Sequence, residues 1–302
     1  MALIISGSNA RASGKKTKQR MDLAAPMGYR RREFSEAEHI SGRDMSKAAK
    51  DTQSTVDFGF REVARNDKQG LVRGVFDAVA DKYDVMNDLM SGGLHRLWKA
   101  RMIDALHIRP QASQHLVDIA GGTGDIALRA QAYAKRRGST LSAHIIDANS
   151  EMMKAGRQRR ATKKTSGLHF TTGTGEQLPL PDKSADMVSV AFGIRNMTDR
   201  AAALGEAYRI LKPGGRFVCL EFSHMPSAMM QKIYDAYSFT FIPPMGELVA
   251  GEREAYQYLV ESIRRFPTAN AFLAELRDAG FARADVQLLS GGVAALHMGW
   301  RL

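Results

Sequence analysis

The run His115-Leu116-Val117-Asp118-Ile119-Ala120-Gly121-Gly122-Thr123-Gly124-Asp125-Ile126-Ala127 decides how the chain folds. Leu116, Val117, Ile119 and Ala120 make an apolar stretch of strand length. Gly121, Gly122 and Gly124 end it, and a helical pattern opens near Asp125. Glycines suit such a turn because a ligand can approach bare backbone. The helix N-terminus behind it presents N–H groups that lack intrahelical partners. A strand, a glycine turn and a helix start, in that order, form a loop for a nucleotide-like cofactor.

Strands and helices alternate beyond this loop. The patterns predict strands at 115–120, 142–147, 168–172, 186–192 and 216–222, with helices at 125–137, 150–160 and 199–211. Such alternation implies a parallel sheet covered by helices on both faces, with ligands at the carboxyl ends of the strands. Residues 223–266, rich in Met, Tyr and Phe and containing Pro243-Pro244, break the alternation as an insertion or lid. A helix over 268–278 follows. Two alternating segments, 283–289 and 293–301, joined by Gly291-Gly292, then read as a closing antiparallel pair.

Upstream, residues 71–106 carry helical periodicity divided by Gly92-Gly93, which predicts a helical cap over one edge of the site. Tyr83, Asp84, Asn87 and His95 are the polar candidates to line it. Residues 1–56 show no periodicity and read as a disordered extension, leaving 57–302 as a single domain. The first 21 residues contain five basic and no acidic side chains, like a transit peptide, before the charge becomes mixed; Met45 is an alternative start.

The 302-residue chain is 44% hydrophobic, enough for a sizeable core, and no apolar run approaches the roughly 18 to 20 residues that span a bilayer. Its single cysteine, Cys219, lies among Phe217, Val218 and Leu220 and reads as a buried strand thiol. That argues for a reducing compartment and against a cysteine-based metal site. The net charge of +11 invites a nucleic-acid reading. Residues 1–56, however, hold 11 basic and 6 acidic side chains, and the rest of the excess is diffuse. Lys135-Arg136-Arg137 and the run 157–164 are solvated helix ends, or a face for an anionic membrane.

Two cofactors compete for the glycine turn. A dinucleotide fold calls for GxGxxG, but Gly122-Thr123-Gly124 is followed by Ile126 and Ala127. An S-adenosylmethionine loop has an acid followed by glycines two, four and six positions on. Here Asp118 is followed by Ala120, Gly122 and Gly124, with Gly121 added. Asp147 ends the second strand, where a carboxylate accepts both ribose hydroxyls. NAD proteins place an acid similarly, and a helix N-cap is the other reading. The turn Lys212-Pro213-Gly214-Gly215 and the antiparallel hairpin at the sheet edge belong to the methyltransferase plan.

Longer motifs narrow the choice. These are Asp57-Phe58-Gly59-Phe60, Lys82-Tyr83-Asp84-Val85-Met86-Asn87-Asp88-Leu89-Met90-Ser91, His95-Arg96-Leu97-Trp98-Lys99, Phe192-Gly193-Ile194-Arg195-Asn196, the stretch 234–239, and Tyr258-Leu259-Val260-Glu261-Ser262-Ile263-Arg264. With the glycine turn they resemble the ubiquinone/menaquinone biosynthesis C-methyltransferase family, co-linearly from residue 57 to 302. The resemblance implies a Rossmann-like class I methyltransferase, an α/β fold with a seven-stranded, mostly parallel sheet and a C-terminal antiparallel strand. It also implies S-adenosyl-L-methionine as cofactor, held by Gly121, Gly122, Thr123, Gly124 and Asp147. Two positions depart from the family pattern. Thr174-Gly175 stands where many members have Asn or Asp followed by Ala, so contact with the adenine edge there falls to a hydroxyl or the backbone. Ala191 replaces a serine of some bacterial members.

The implied substrate is the ring of a polyprenyl quinol, and ring C-methylation needs an ionised hydroxyl ortho to the target carbon. A phenol ionises near pH 10. A cation about 4 Å away is worth about 4 kcal/mol at an effective dielectric of 20, or about three pH units. Arg195, just after the fourth strand, is the candidate cation; an ion pair with Asp199 is its structural alternative. Asn196 would hydrogen-bond the ring oxygen. A water or Asp125 would take the proton, although an acid at a helix start is ordinarily a cap. Met and aromatic residues of 71–106 and 223–266 would line a tunnel for the prenyl tail, unless they are simply core. A quinol substrate further implies peripheral membrane contact, and a quinone-biosynthesis complex or a homodimer. The expected location is the cytoplasm or inner-membrane surface, with the mitochondrial matrix as alternative.

A nucleic-acid methyltransferase is the main competing function. Neither an Asn/Asp-Pro-Pro-aromatic run after the fourth strand nor a placed nucleophilic cysteine supports it, and no nucleic-acid partner is expected. A NAD oxidoreductase and a non-catalytic binding protein are the remaining readings.

Overall fold

The computed structural model describes residues 54–79, 88 and 91–302. Most of the expected N-terminal extension therefore lies outside the described residues, as do Tyr83, Asp84 and Asn87 of the expected cap.

Seven strands form one sheet: β3 (Ser113–Ile119), β4 (Thr140–Asp147), β5 (Leu168–Thr172), β6 (Ala185–Ala191), β7 (Leu211–Phe222), β8 (Ala282–Leu289) and β9 (Ala294–Trp300). Their spatial order is β5-β4-β3-β6-β7-β9-β8. The first five run parallel, and β9 enters antiparallel between β7 and β8. The sheet reverses direction of growth between β3 and β6, which opens a crevice at their carboxyl ends.

The central strands are apolar on both faces because both are covered. Alternation sends Leu116, Ile145, Val218 and Leu220 into one cluster. It sends Val117, Ile119, Ile146, Val188 and Cys219 into the other. On the first side lie α2 (His95–Ala105), α3 (Asp125–Arg136) and α8 (Arg253–Arg265); on the second lie α6 (Arg200–Ile210) and α9 (Ala269–Asp278). Helices α4 (Ser150–Gln158) and α5 (Arg160–Lys163) follow β4. Side-chain caps start three of these helices where a crossover turns, with Asn149, Asp199 and Thr268 accepting from Met152, Ala202 and Ala271.

Four local features differ from the sequence reading. A hairpin of β1 (Thr55–Phe58) and β2 (Arg61–Ala64) precedes the cap. Its four-residue strands are too short and too polar to show a period. Helix α1 (Arg65–Val79) starts ahead of the apolar pattern because its first turns, Arg65 to Gln69, are polar in sequence although Lys68 is buried against Met197. Strand β7 begins at Leu211 rather than 216: Leu211 already pairs with Ala185, and Lys212-Pro213-Gly214-Gly215 forms an irregularity within the strand, with Gly214 at φ +80°. The insertion is a helical pair, α7 (Ala228–Ala250) and α8, and α7 runs through Pro243 and Pro244. Gly246 permits this pairing, since a Cβ there would strike the Tyr256 ring.

Candidate active site

A cleft opens at the carboxyl ends of β3, β4, β5 and β6. Gly121, Gly122 and Thr123 line it from the first turn, Asp147 to Asn149 from the second, Gly173 to Gly175 from the third, and Ala191 to Gly193 from the fourth. Helix α1 covers it with Gln69, Val72, Arg73 and Phe76. Of the residues expected at the site, Gly121, Gly122, Thr123, Asp125, Asp147, Thr174, Gly175 and Asn196 line this cleft. Gly124 and Arg195 are not among its lining residues.

The turn after β3 owes its shape to close packing. Ala120 adopts φ +52° and Phe192, after β6, adopts φ +57°, both uncommon and strained for residues with a side chain. Gly193 lies against Ala120, so the two strand ends interlock only because residue 193 lacks a Cβ. At Gly121 a Cβ would come within 2.7 Å of Asp118 Oδ2 and 2.8 Å of Ile145 Cγ2. Gly124, at φ +78°, is the N-cap of α3 and donates to the Gly121 carbonyl at 2.8 Å, so its part is to close the turn. Behind the loop, Gly156 of α4 touches the Thr123 backbone; a Cβ there would be 2.7 Å from the Thr123 carbonyl oxygen. The sequence pattern missed Gly156, since an isolated helical glycine carries no sign of what it packs against.

Asp147 closes the floor of the cleft. Its Oδ2 accepts from Gly122 N and its Oδ1 from Asn149 N, both at 2.8 Å. Burial raises its pKa above the ordinary carboxylate range, and the two backbone donors offset only part of that. Asn149, not Asp147, is the N-cap of α4, so the cap reading of Asp147 does not hold. Asn149 also donates to Asp77 Oδ1 at 2.7 Å, tying α1 to the cleft. Beneath the turn, fully buried Asp118 accepts from Ser189 Oγ at 2.6 Å, while its Oδ2 finds no partner among the described residues. Burial pushes its carboxyl up to about 7.

Asp125 is an ion-paired carboxylate. Lys99 Nζ donates to it at 2.9 Å and Arg129 Nε at 3.0 Å. Burial alone would raise its pKa, but Lys99 and Arg129 outweigh burial and hold it below the usual range. It is therefore a weak proton acceptor.

Arg195 and Asn196 sit in a short 3-10 turn (Ile194–Asn196) after β6. The expected alternative partner of Arg195, Asp199, instead caps α6 and meets Arg65. Arg195 pairs with Glu221 at 2.7 Å, and its Nη1 also donates to the Phe192 carbonyl at 2.6 Å. Glu221 is fully buried at the end of β7; burial raises its pKa, and Arg195 opposes that shift. The pairing reduces the net field that Arg195 can offer a ligand. Glu221 was readable as the one acid inside the apolar run 217–222, but its partner was not. Asn196 Oδ1 accepts from the Tyr258 hydroxyl at 3.0 Å, a contact 62 residues apart in sequence.

Strand order with an antiparallel strand inserted next to the edge, a glycine turn after β3 and an acid at the end of β4 define a class I methyltransferase that uses S-adenosylmethionine. The residues fit that group: the turn at 121–122 offers backbone without side chains, and the β4 carboxylate faces the same cleft. The fold is similar to that of an S-adenosylmethionine-dependent methyltransferase of Thermotoga maritima (TM-score 0.52, 20% identity, covering 76% of this chain and all of that one).

Residues 62–301 match the ubiE/COQ5 methyltransferase family, and the chain belongs to it. A ubiquinone/menaquinone biosynthesis C-methyltransferase of Methylobacterium nodulans is 52% identical over 250 residues, 83% of this chain and 98% of that protein. One of Bradyrhizobium diazoefficiens is 53% identical over 253 residues, with 82% and 98% covered.

Proposed function

We propose that this enzyme transfers the methyl group of S-adenosylmethionine to a ring carbon of a polyprenyl quinol in ubiquinone or menaquinone biosynthesis. The observation that carries the reading is identity above one half with C-methyltransferases of that pathway across nearly their whole length. The cofactor, when bound, supplies an electrophilic sulfonium methyl. Gly121, Gly122 and Thr123 would hold it along bare backbone, Asp147 at its ribose hydroxyls, and Thr174 and Gly175 at its base.

The chain's own residues then act on the ring hydroxyl. Asn196, on the cleft wall, donates to the developing phenolate. Arg195 adds a positive potential, reduced by Glu221, and holds the 192–196 turn in place. Water takes the hydroxyl proton, because Asp125 is already satisfied by Lys99 and Arg129. After transfer the hydrogen of the methylated ring carbon leaves as a proton and the ring oxygen is reprotonated, so one proton is released in all. Val72, Phe76 and Met197 offer apolar surface to the tail.

The substrate lies in a bilayer, and the exposed stripe Met229, Ile233, Tyr237, Phe241 and Leu248 of α7 is the surface for peripheral contact. No helix of the described residues is long and apolar enough to cross a membrane. A homodimer or a quinone-biosynthesis complex remains part of the proposal.

Lipid-quinone profiling tests the reading. A strain lacking its own quinone C-methyltransferase, supplied with this chain, is expected to regain methylated quinone; continued accumulation of the demethyl precursor would refute it.

A further inference from the structure

The sequence motifs Asp57-Phe58-Gly59-Phe60 and Tyr258-Leu259-Val260-Glu261 have no part in the chemistry above, yet the fold joins them beside the cleft. The Phe58 ring stacks on Tyr258 with centroids 4.3 Å apart and an interplanar angle of 22°. The Phe60 N–H donates to Glu261 Oε2 at 2.9 Å, and Gly59 lies against the Glu261 side chain, which leaves no room there for a Cβ. The hairpin β1–β2 is thus pinned to α8, and α8 carries Tyr258, only 7% exposed, to the turn at Asn196.

An asparagine amide can face either way, and the two faces do opposite things to a phenolate. Presenting Nδ2 donates to the ring oxygen and stabilises its charge; presenting Oδ1 repels it. At Asn196 the Tyr258 hydroxyl favours one face, because a phenol donates better than it accepts and an amide oxygen is the best acceptor within its reach: it donates to Oδ1 at 3.0 Å. Burial pushes the Tyr258 phenol up, so it keeps its proton throughout the neutral range and remains a donor.

We infer that Tyr258 is a positioning residue for methyl transfer: it holds Asn196 Oδ1 and thereby turns Nδ2 toward the ring oxygen of the substrate. Phe58 fixes the tyrosine ring so that the hydroxyl cannot swing away. The inference rests on the proposed quinol methylation, which supplies the oxygen that Nδ2 meets.

Tyr258→Phe keeps the stacked ring and removes only the hydroxyl. With S-adenosylmethionine and a short-chain demethylmenaquinol, its kcat is expected to fall roughly 10-fold to 100-fold. Both KM values should stay within about twofold, and melting temperature and S-adenosylhomocysteine affinity should be unchanged. Asn196→Asp still accepts from Tyr258 but offers oxygen to the cleft, and should lose as much kcat as Asn196→Ala. In the Asn196→Ala background, Tyr258→Phe should cost nothing further.

A readout without cofactor is the side-chain amide NMR signal of Asn196, one sharp pair in the wild type and broadened or doubled in Tyr258→Phe. Wild-type kcat in Tyr258→Phe or in Asn196→Asp, an equal loss with and without Asn196, or an unaltered amide signal would each overturn the inference. A wild-type chain that binds S-adenosylhomocysteine yet methylates no quinol defeats the proposed function instead. The amide signal then decides alone whether Tyr258 orients Asn196.

Discussion

Ala120 and Phe192 turn two strand ends through a conformation that glycine adopts more readily; Gly193 makes room beside Ala120, and Gly156 makes room for the Thr123 backbone. Gly156→Ala tests that packing: its methyl would drive the Thr123 backbone out of place. It is expected to cost about 1 to 3 kcal/mol of stability and to weaken S-adenosylhomocysteine binding at least tenfold, by urea denaturation and calorimetry. Unchanged affinity would mean that the loop yields freely. Asp118 carries a pH signature. Its folded carboxyl titrates at about 7 against an ordinary 3.8, so between those values the native state holds a proton that the unfolded chain has lost. Stability therefore falls as pH rises through that window, by up to about 1.4 kcal/mol per pH unit. Urea midpoints at pH 5 and pH 8 should show this slope in the wild type and its loss in Asp118→Asn; parallel slopes would contradict it. Arg195→Ala strands Glu221 as a buried, unpaired carboxyl, which costs about 3 to 5 kcal/mol. Adding Glu221→Gln should restore most of the stability and none of the turnover, whereas recovery of turnover would confine Arg195 to a structural role. At this scale the sequence disclosed the glycine turn at 121–124 and the acid that ends β4, because their signal is local. It hid Asp77 with Asn149, Arg195 with Glu221 and Asn196 with Tyr258, pairs separated by 72, 26 and 62 residues.

The elements of the sheet were legible to within a few residues, since buried parallel strands are apolar runs bounded by glycine turns or helix caps. What escaped had its cause in tertiary contact. The β1–β2 hairpin is held by Glu261 and Tyr258 rather than by a pattern of its own, and α7 continues past two prolines while packed on α8. That helix keeps one face uncovered, with Met229 71% and Leu248 87% exposed. Ile233→Glu with Phe241→Glu should abolish flotation with quinol-containing vesicles. Turnover of a soluble short-chain quinol should stay at the wild-type level. Flotation that persists would place the membrane contact elsewhere.

The whole molecule joins a widely used fold to a site with its own supports. Order β5-β4-β3-β6-β7-β9-β8 defines the crevice, and the first turn alone would serve many cofactors. Under the proposed function Asp147 serves the methyl donor, the Arg195–Asn196 turn the ring, and the exposed face of α7 the membrane that holds the substrate. The charge of +11 pointed toward nucleic acid, but its diffuse spread outweighed its size, and the family match runs through residues 62–301. The most direct test of ring C-methylation uses S-adenosylmethionine carrying an isotopically labelled methyl, the purified chain, and demethylmenaquinol or its benzoquinol counterpart. Mass spectrometry and NMR of the product should find the label on a ring carbon. Label on a ring oxygen, or no labelled quinol from either substrate, would contradict it.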